Sequence, residues 1–304
     1  MDYRRANRTY LYMILSTIGL VVALSLWYAN GGPTVSILAN NILSEGVVLI
    51  PALAAVFYSG EKLSVMIPFR KISIISVFLV IIYVVMLFPL VTFVNALSMI
   101  FVENTVSAIS DDVLAMPMWI MILSIGIIGP LVEEIVFRGI ILQSYQRTGR
   151  IIGSILLSSI LFGMMHMNFN QFAYGAVMGI MLALLYEATG SITASFLAHA
   201  TFNTIVVLMR YASGSGLDEA TEIAEDYLGA AGLDAIYYIY LFVAAAIFTV
   251  GAIFILRRIA AVEGRLEFLL GIPKKARFGL GLITLPLIIA MLISVAYMFF
   301  YSLL

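Results

Sequence analysis

The sequence has no cysteine and only two histidines among its 304 residues. Without cysteine, the chain can form no disulfide bond, offers no thiolate to a metal ion and has no cysteine nucleophile. Charged residues make up only 11% of the chain, and the formal net charge of −1 gives no reason to expect a nucleic acid as partner. Apolar side chains dominate instead, at 63% of the residues and a mean hydropathy of +1.10.

Apolar runs close to 20 residues long recur along the chain, as in polytopic helical membrane proteins. A transmembrane β-barrel would show short segments of alternating polarity instead. We therefore predict an all-α, polytopic transmembrane helical bundle of about nine spans. No linker or repeat divides it, so residues 1–304 are expected to form a single membrane domain. The predicted spans cover roughly 10–29, 35–58, 72–102, 117–144, 151–167, 171–187, 191–210, 236–256 and 279–302.

Lysine and arginine are unevenly distributed between the loops. They precede the first span and follow the second, fourth and eighth, whereas the loops on the other side carry mainly acidic residues. By the positive-inside rule, this predicts a cytoplasmic N-terminus and a C-terminus outside. The first span lacks a small-x-small cleavage site after it, which favours an uncleaved anchor over a signal peptide. The basic residues are Arg4, Arg5, Arg8, Lys62, Arg70, Lys71, Arg147, Arg150, Arg257, Arg258, Arg265, Lys274, Lys275 and Arg277; the acidic ones are Glu103, Asp111, Asp112 and those from Asp218 to Asp234.

A few ionisable groups lie inside the apolar runs, where a charge costs about 2.5–3.5 kcal/mol on the insertion scale. In the fourth span, Glu134 and Arg138 are four residues apart and can pair on one helix face, an ion pair that could also be purely structural. Glu133 is turned about 100° from Glu134. It has no cation one turn further on, which leaves it free to act as a base. Pro130 is expected to kink this span.

Both histidines lie in or at the end of neighbouring spans. His166 ends the fifth span, where a histidine is often only a capping residue, and His199 lies in the seventh, one turn before Asn203. His199 and Asn203 can donate two hydrogen bonds to one point, as an oxyanion site requires. They can equally form an interhelical polar clamp. Because costly groups come from three nearby helices, we expect one shared site that activates water for attack on a carbonyl.

A metal ion is the alternative way to activate that water. Glu133, His166 and His199 could ligate one divalent cation such as zinc, with water in the open position. The H-E-x-x-H zinc signature is absent, and so is a G-x-S-x-G serine. The residues alone do not decide between a metal-bound water and one activated by glutamate and histidine.

The succession E-E-x-x-x-R, F-x-x-x-H and H-x-x-x-N across consecutive apolar helices resembles the CPBP family of intramembrane proteases. This family includes the type II CAAX prenyl endopeptidases and the Abi-type proteins linked to bacteriocin processing and self-immunity. The resemblance covers residues 118–210, for which it implies an Abi-like catalytic core that hydrolyses peptide bonds in or near the membrane. It also implies roles for six residues: Glu133 as base with His166 aiding it, His199 and Asn203 holding the oxyanion, and Arg138 supporting Glu134.

The substrate that the resemblance implies is a hydrophobic or lipidated, CAAX-like peptide, met among membrane lipids. Two other functions stay open: a non-catalytic membrane partner, such as a self-immunity or scaffold protein, and a proton-coupled transporter. The absence of a two-fold repeat argues against the transporter. Glu45 and Asn95 lie within the second and third spans and could line the cavity or pair inside the bundle. The acidic segment 217–233 is expected to form an outer helix.

Overall fold

A computed structural model of the protein describes residues 1–102, 113–213, 234–273 and 281–303. Within these ranges the chain forms eleven helices and no strand. The predicted outer helix at 217–233 lies outside the described residues, as do Glu103, Asp111, Asp112, Lys274, Lys275 and Arg277. The helices are α1 (Tyr3–Ala29), α2 (Ile37–Ser59), α3 (Leu63–Met66), α4 (Ile74–Met99), α5 (Met118–Gln146), α6 (Ile151–Met165), α7 (Phe169–Thr189), α8 (Ile192–Ser213), α9 (Asp234–Val262), α10 (Leu266–Gly271) and α11 (Leu285–Tyr301).

Seven of these helices, α1, α2, α4, α5, α7, α8 and α9, are long and apolar enough to cross a membrane. Helices α6 and α11 are apolar but shorter, with 15 and 17 residues. Together these nine helices coincide with the nine predicted segments, so the predicted all-α transmembrane bundle is confirmed. The two short helices leave the number of complete spans open.

Helix α5 lies in the middle of the bundle. It packs against α2 and α1 as well as against α6 and α8. One apolar cluster joins α1, α2, α5, α6 and α11, and a second joins α4, α7, α8 and α9. Since α5 belongs to the first cluster and α8 to the second, polar side chains where α5 meets α8 are enclosed between two apolar regions.

Helix α5 is not a regular α-helix. Its segments Ile122–Ile128 and Ile135–Leu142 wind as π-helix, and the α-helical segment Gly129–Glu134 between them has Pro130 in its first turn. The predicted disturbance at Pro130 therefore takes the form of widened turns on both sides. Such π-turns are rare and often lie at functional sites.

Helices α6 and α7 pack unusually closely because glycine lies at their contact. A Cβ atom at Gly163 would lie 2.7 Å from the carbonyl oxygen of Phe172, and one at Gly179 would lie 2.9 Å from Cα of Ser159. Helix α6 is about 22 Å long at 1.5 Å per residue. That is less than the hydrocarbon core of about 30 Å, so an α6 that begins at one membrane surface ends within the core.

Candidate active site

Glu134 is the centre of a buried polar group. Its Oε1 atom lies 2.9 Å from Nη1 of Arg138, one turn along α5, and 3.1 Å from Nδ1 of His199 on α8. The side chain of Glu134 is 0% exposed and that of Arg138 is 2% exposed. The predicted pair of Glu134 and Arg138 is therefore formed. The same oxygen of Glu134 also contacts His199, which the sequence had grouped with Asn203.

Arg138 is held from two further directions. Its Nη2 atom donates to the carbonyl oxygen of Gly179 at 3.2 Å. Its guanidinium carbon lies 4.4 Å from the centroid of the Phe162 ring, within range of a cation–π contact. Neither contact supplies a negative charge, so Glu134 is the counter-ion of this buried cation.

His199 lies between the two glutamates. Its Nδ1 faces Glu134, and its Nε2 lies 3.4 Å from Oε2 of Glu133. A histidine that donates from Nδ1 to a carboxylate has its ring orientation fixed, so the direction in which Nε2 points is fixed as well. The side chain of Glu133 is 20% exposed. Glu133 is therefore the accessible carboxylate of the pair, and Glu134 the enclosed one.

His166 reaches the same region from α6. The rings of His166 and His199 both meet the ring of Phe162 edge-on, with centroid distances of 5.3 Å and 5.7 Å. A Cβ atom at Gly175 would lie only 3.1 Å from Cδ2 of His166, so glycine at this position makes room for the imidazole. Among the described residues, His166 has no hydrogen bond or ion pair with either glutamate.

Asn203 is engaged with the backbone of α5. Its Nδ2 atom donates to the carbonyl oxygen of Ile125 at 3.1 Å. Both ring nitrogens of His199 also face acceptors on α5. The structure thus contains the interhelical clamp that the sequence left open, and the oxyanion role of His199 and Asn203 stays a prediction.

Two further titratable residues interact with Glu133: Glu45, which the sequence offered as a cavity residue, and Tyr174, which it did not. Oε1 of Glu45, on α2, lies 3.2 Å from the position of a Cβ atom at Gly129, one turn before Glu133, and the two carboxyl groups interact electrostatically. Tyr174, on α7, also interacts electrostatically with Glu133. Glu45 could be recognised in the sequence because it is a charged residue inside an apolar run. Tyr174 gave no signal, because the chain has 16 tyrosines.

The side chains of Glu133, His166 and His199 do not form the metal site expected from the sequence. Glu133 and His199 present an oxygen and a nitrogen 3.4 Å apart. Within the described ranges, however, no three histidine, cysteine, aspartate or glutamate side chains form a group that could hold a metal ion. Catalytic zinc sites use three protein ligands and a water. The arrangement does not fit such a site.

Known proteins match the part of the chain that carries these groups. Residues 115–205 match the family described as type II CAAX prenyl endopeptidase Rce1-like. A protein of Bacillus subtilis (strain 168) named as a membrane peptidase, YdiL, is 38% identical over 109 residues, which are 36% of this chain and 43% of the relative. The membrane-embedded CAAX protease MroQ of Staphylococcus aureus (strain USA300) is 32% identical over 111 residues, 34% of this chain and 45% of the relative.

The chain spans less than half the length of these two curated relatives. No solved structure matches it. The family match includes all six residues that the sequence motifs singled out, and the predicted resemblance is confirmed over this range.

Proposed function

We propose that this protein is an intramembrane endopeptidase, because residues 115–205 match the type II CAAX prenyl endopeptidase Rce1-like family. The observation that carries the proposal is the contact of His199 with both glutamates. A partly exposed carboxylate beside an imidazole that a second, buried carboxylate orients is suited to proton transfer with water. The spans that surround it would keep this chemistry within the membrane.

In the proposed mechanism, Glu133 accepts a proton from a water molecule while the water oxygen attacks the scissile carbonyl carbon. Nε2–H of a doubly protonated His199 donates to the oxyanion that forms, and Glu134 stabilises the imidazolium through Nδ1. The C–N bond then breaks, and Glu133 returns its proton to the amine nitrogen. The products are a new carboxyl group and a new amine, and both side chains return to their starting state.

The other residues hold this group in place. Arg138 balances the charge of Glu134, so that Glu134 can orient His199 without binding a proton itself. Phe162 contacts the rings of both His199 and His166 edge-on. His166 is proposed to aid Glu133, the role that the family resemblance gives it. None of these steps needs a metal ion, in keeping with a donor set that lacks a third ligand.

We propose a hydrophobic or lipidated peptide as the substrate, because the site lies among apolar helices and two relatives carry peptidase names. Purified protein in liposomes would be given three peptides of one sequence: farnesylated at a CAAX cysteine, alkylated there with a short polar group, and unmodified. Faster cleavage of the farnesylated peptide supports a lipidated substrate. Equal cleavage of all three would leave the endopeptidase and refute the lipid preference.

Removal of metal ions is expected to leave turnover unchanged. The protein would be dialysed against EDTA and 1,10-phenanthroline, and its metal content measured by mass spectrometry before turnover is assayed. A zinc protease treated in parallel provides the control for chelation. Loss of turnover that one equivalent of Zn²⁺ restores would contradict the metal-free mechanism.

We also propose that the N-terminus is cytoplasmic, from the distribution of lysine and arginine. The chain has no cysteine of its own, so single cysteines can report on each side. Thr34, in the loop before α2, and Ser64, in the short helix α3 after it, are both exposed. A membrane-impermeant maleimide is expected to label Thr34→Cys in right-side-out vesicles and Ser64→Cys in inverted ones. The reverse pattern would overturn the orientation.

A further inference from the structure

One backbone carbonyl of α5, that of Ile125, has lost its helix donors. In a regular helix it would accept from the N–H of residue 129 or, in a π-turn, from that of residue 130. The N–H of Gly129 donates to the backbone carbonyl oxygen of Ser124 instead. Pro130 has no N–H, which is why the first π segment ends there.

Asn203 supplies the missing donor. Its Nδ2 atom lies 3.1 Å from the Ile125 oxygen. Helices α5 and α8 are close here, since a Cβ atom at Gly126 would lie 2.7 Å from Oγ1 of Thr204. An unpaired carbonyl at such a helix contact inside a membrane is costly, because no water is available to replace the lost partner.

This contact lies one helical turn along α8 from the histidine of the site. Asn203 and His199 share a face of α8. Asn203 holds α5 at Ile125, and His199 contacts it at Glu133 and Glu134. Helix α8 therefore contacts α5 at two positions along its axis, one before Pro130 and one after it.

We propose that Asn203 is a positioning residue that replaces the hydrogen bond removed by Pro130. It would thereby fix the register of α5, so that Glu133 and Glu134 meet the two nitrogens of His199. Its effect on turnover rests on the proposed function, whereas its effect on the α5–α8 contact does not. This role differs from that of an oxyanion donor, which would act on the reacting atoms directly.

A double-mutant cycle tests the proposal. Pro130→Ala restores an N–H that can donate to Ile125, so it is expected to make Asn203 dispensable. In the Pro130 protein, Asn203→Ala is expected to lower kcat about 10- to 100-fold with little change in KM, the loss that small misplacements cause. In the Pro130→Ala protein the same change is expected to lower kcat less than about threefold, since contacting sites are not additive. Melting temperatures should show the same coupling.

Asn41 provides a matched control on the same π segment. Its Nδ2 atom donates to Oγ of Ser124 at 3.2 Å, a side-chain contact that Pro130 does not create. The effect of Asn41→Ala on turnover and melting temperature is therefore expected to be the same in both backgrounds. If Pro130→Ala reduced the effect of Asn41→Ala as much as that of Asn203→Ala, the proposal would be overturned. Pro130→Ala would then compensate for the loss of any contact on this segment.

The outcomes separate this proposal from the proposed function. An equal loss of kcat in both backgrounds, with an unchanged melting temperature, would make Asn203 an oxyanion donor and refute the positioning role. If no variant hydrolyses any peptide, coupling in the melting temperatures alone would uphold the clamp and count against the endopeptidase. If the wild-type protein hydrolyses peptides but Asn203 and Pro130 are coupled neither in kcat nor in melting temperature, the positioning role of Asn203 is refuted and the endopeptidase function stands.

Discussion

Replacement of Glu134 by glutamine is expected to destabilise the protein by about 3–5 kcal/mol, the usual effect of leaving one partner of a buried ion pair without the other. Arg138 is 2% exposed, and its remaining contacts, the Gly179 carbonyl and the Phe162 ring, carry no negative charge. Glutamine has the shape of glutamate but cannot balance the guanidinium. The free energy of unfolding in mixed micelles would measure the loss.

Glu61 provides the matched control for Glu134→Gln. It pairs with Arg147 at 2.5 Å, but the two side chains are 28% and 42% exposed. The Arg147 guanidinium, and after it the N-terminal ammonium of Met1, lower the pKa of Glu61 to about 2, so Glu61→Gln also removes a full charge at neutral pH. Glu61 also pairs with the N-terminal ammonium of Met1 at 2.6 Å. Because Glu61 and Arg147 are partly solvated, this change is expected to reduce stability less than Glu134→Gln does. The double variant Glu134→Gln, Arg138→Gln should recover part of the lost stability. Equal losses at Glu61 and Glu134 would refute the buried pair.

Replacement of Glu133 by glutamine is expected to abolish turnover and to leave stability near that of the wild type. A general base contributes about 10²- to 10⁴-fold to a rate, and glutamine cannot accept the proton of water. Arg138 and His199 both keep Glu134 as a nearer partner when Glu133 is replaced, and the Glu133 side chain is 20% exposed. Turnover of a peptide substrate and the unfolding free energy would be measured on the same preparations.

The neighbouring glutamates thus act as controls for each other. Glu133→Gln is expected to lose activity without loss of stability, whereas the main effect of Glu134→Gln is on stability. A similar loss of stability in both variants would show that the division between an accessible base and a buried counter-ion is wrong. Full activity of the Glu133→Gln protein would remove the base from the mechanism.

Much of the architecture could be predicted from the sequence, because the signals are local. Each apolar run of sufficient length predicts a helix, whatever its neighbours are. The pairing of Glu134 with Arg138 was also local, since four residues along one helix bring the two side chains together. The exact number of complete spans could not be predicted, because α6 and α11 are so short that their length does not show whether they cross the membrane.

The partners of the groups on α8 could not be predicted, because they depend on how α8 is rotated against α5. Helical spacing places His199 and Asn203 on one face, but it does not tell which acceptors that face meets. In the structure these are the two glutamates and a backbone carbonyl. The Ile125 carbonyl lacks a donor within its own helix only because π-turns precede Pro130. The sequence pattern predicted a disturbance at Pro130, but not that it would take the form of π-turns.

If Glu133 activates the water that cleaves a peptide bond, an oxygen atom of that water must appear in the product. Wild-type and Glu133→Gln protein would be incubated in liposomes with a farnesylated CAAX peptide in H₂¹⁸O, and the products identified by mass spectrometry. We expect a shortened peptide with ¹⁸O in its new carboxyl group from the wild type, and no shortened peptide from the variant. An intact peptide with both proteins, or the same labelled product from both, would contradict it.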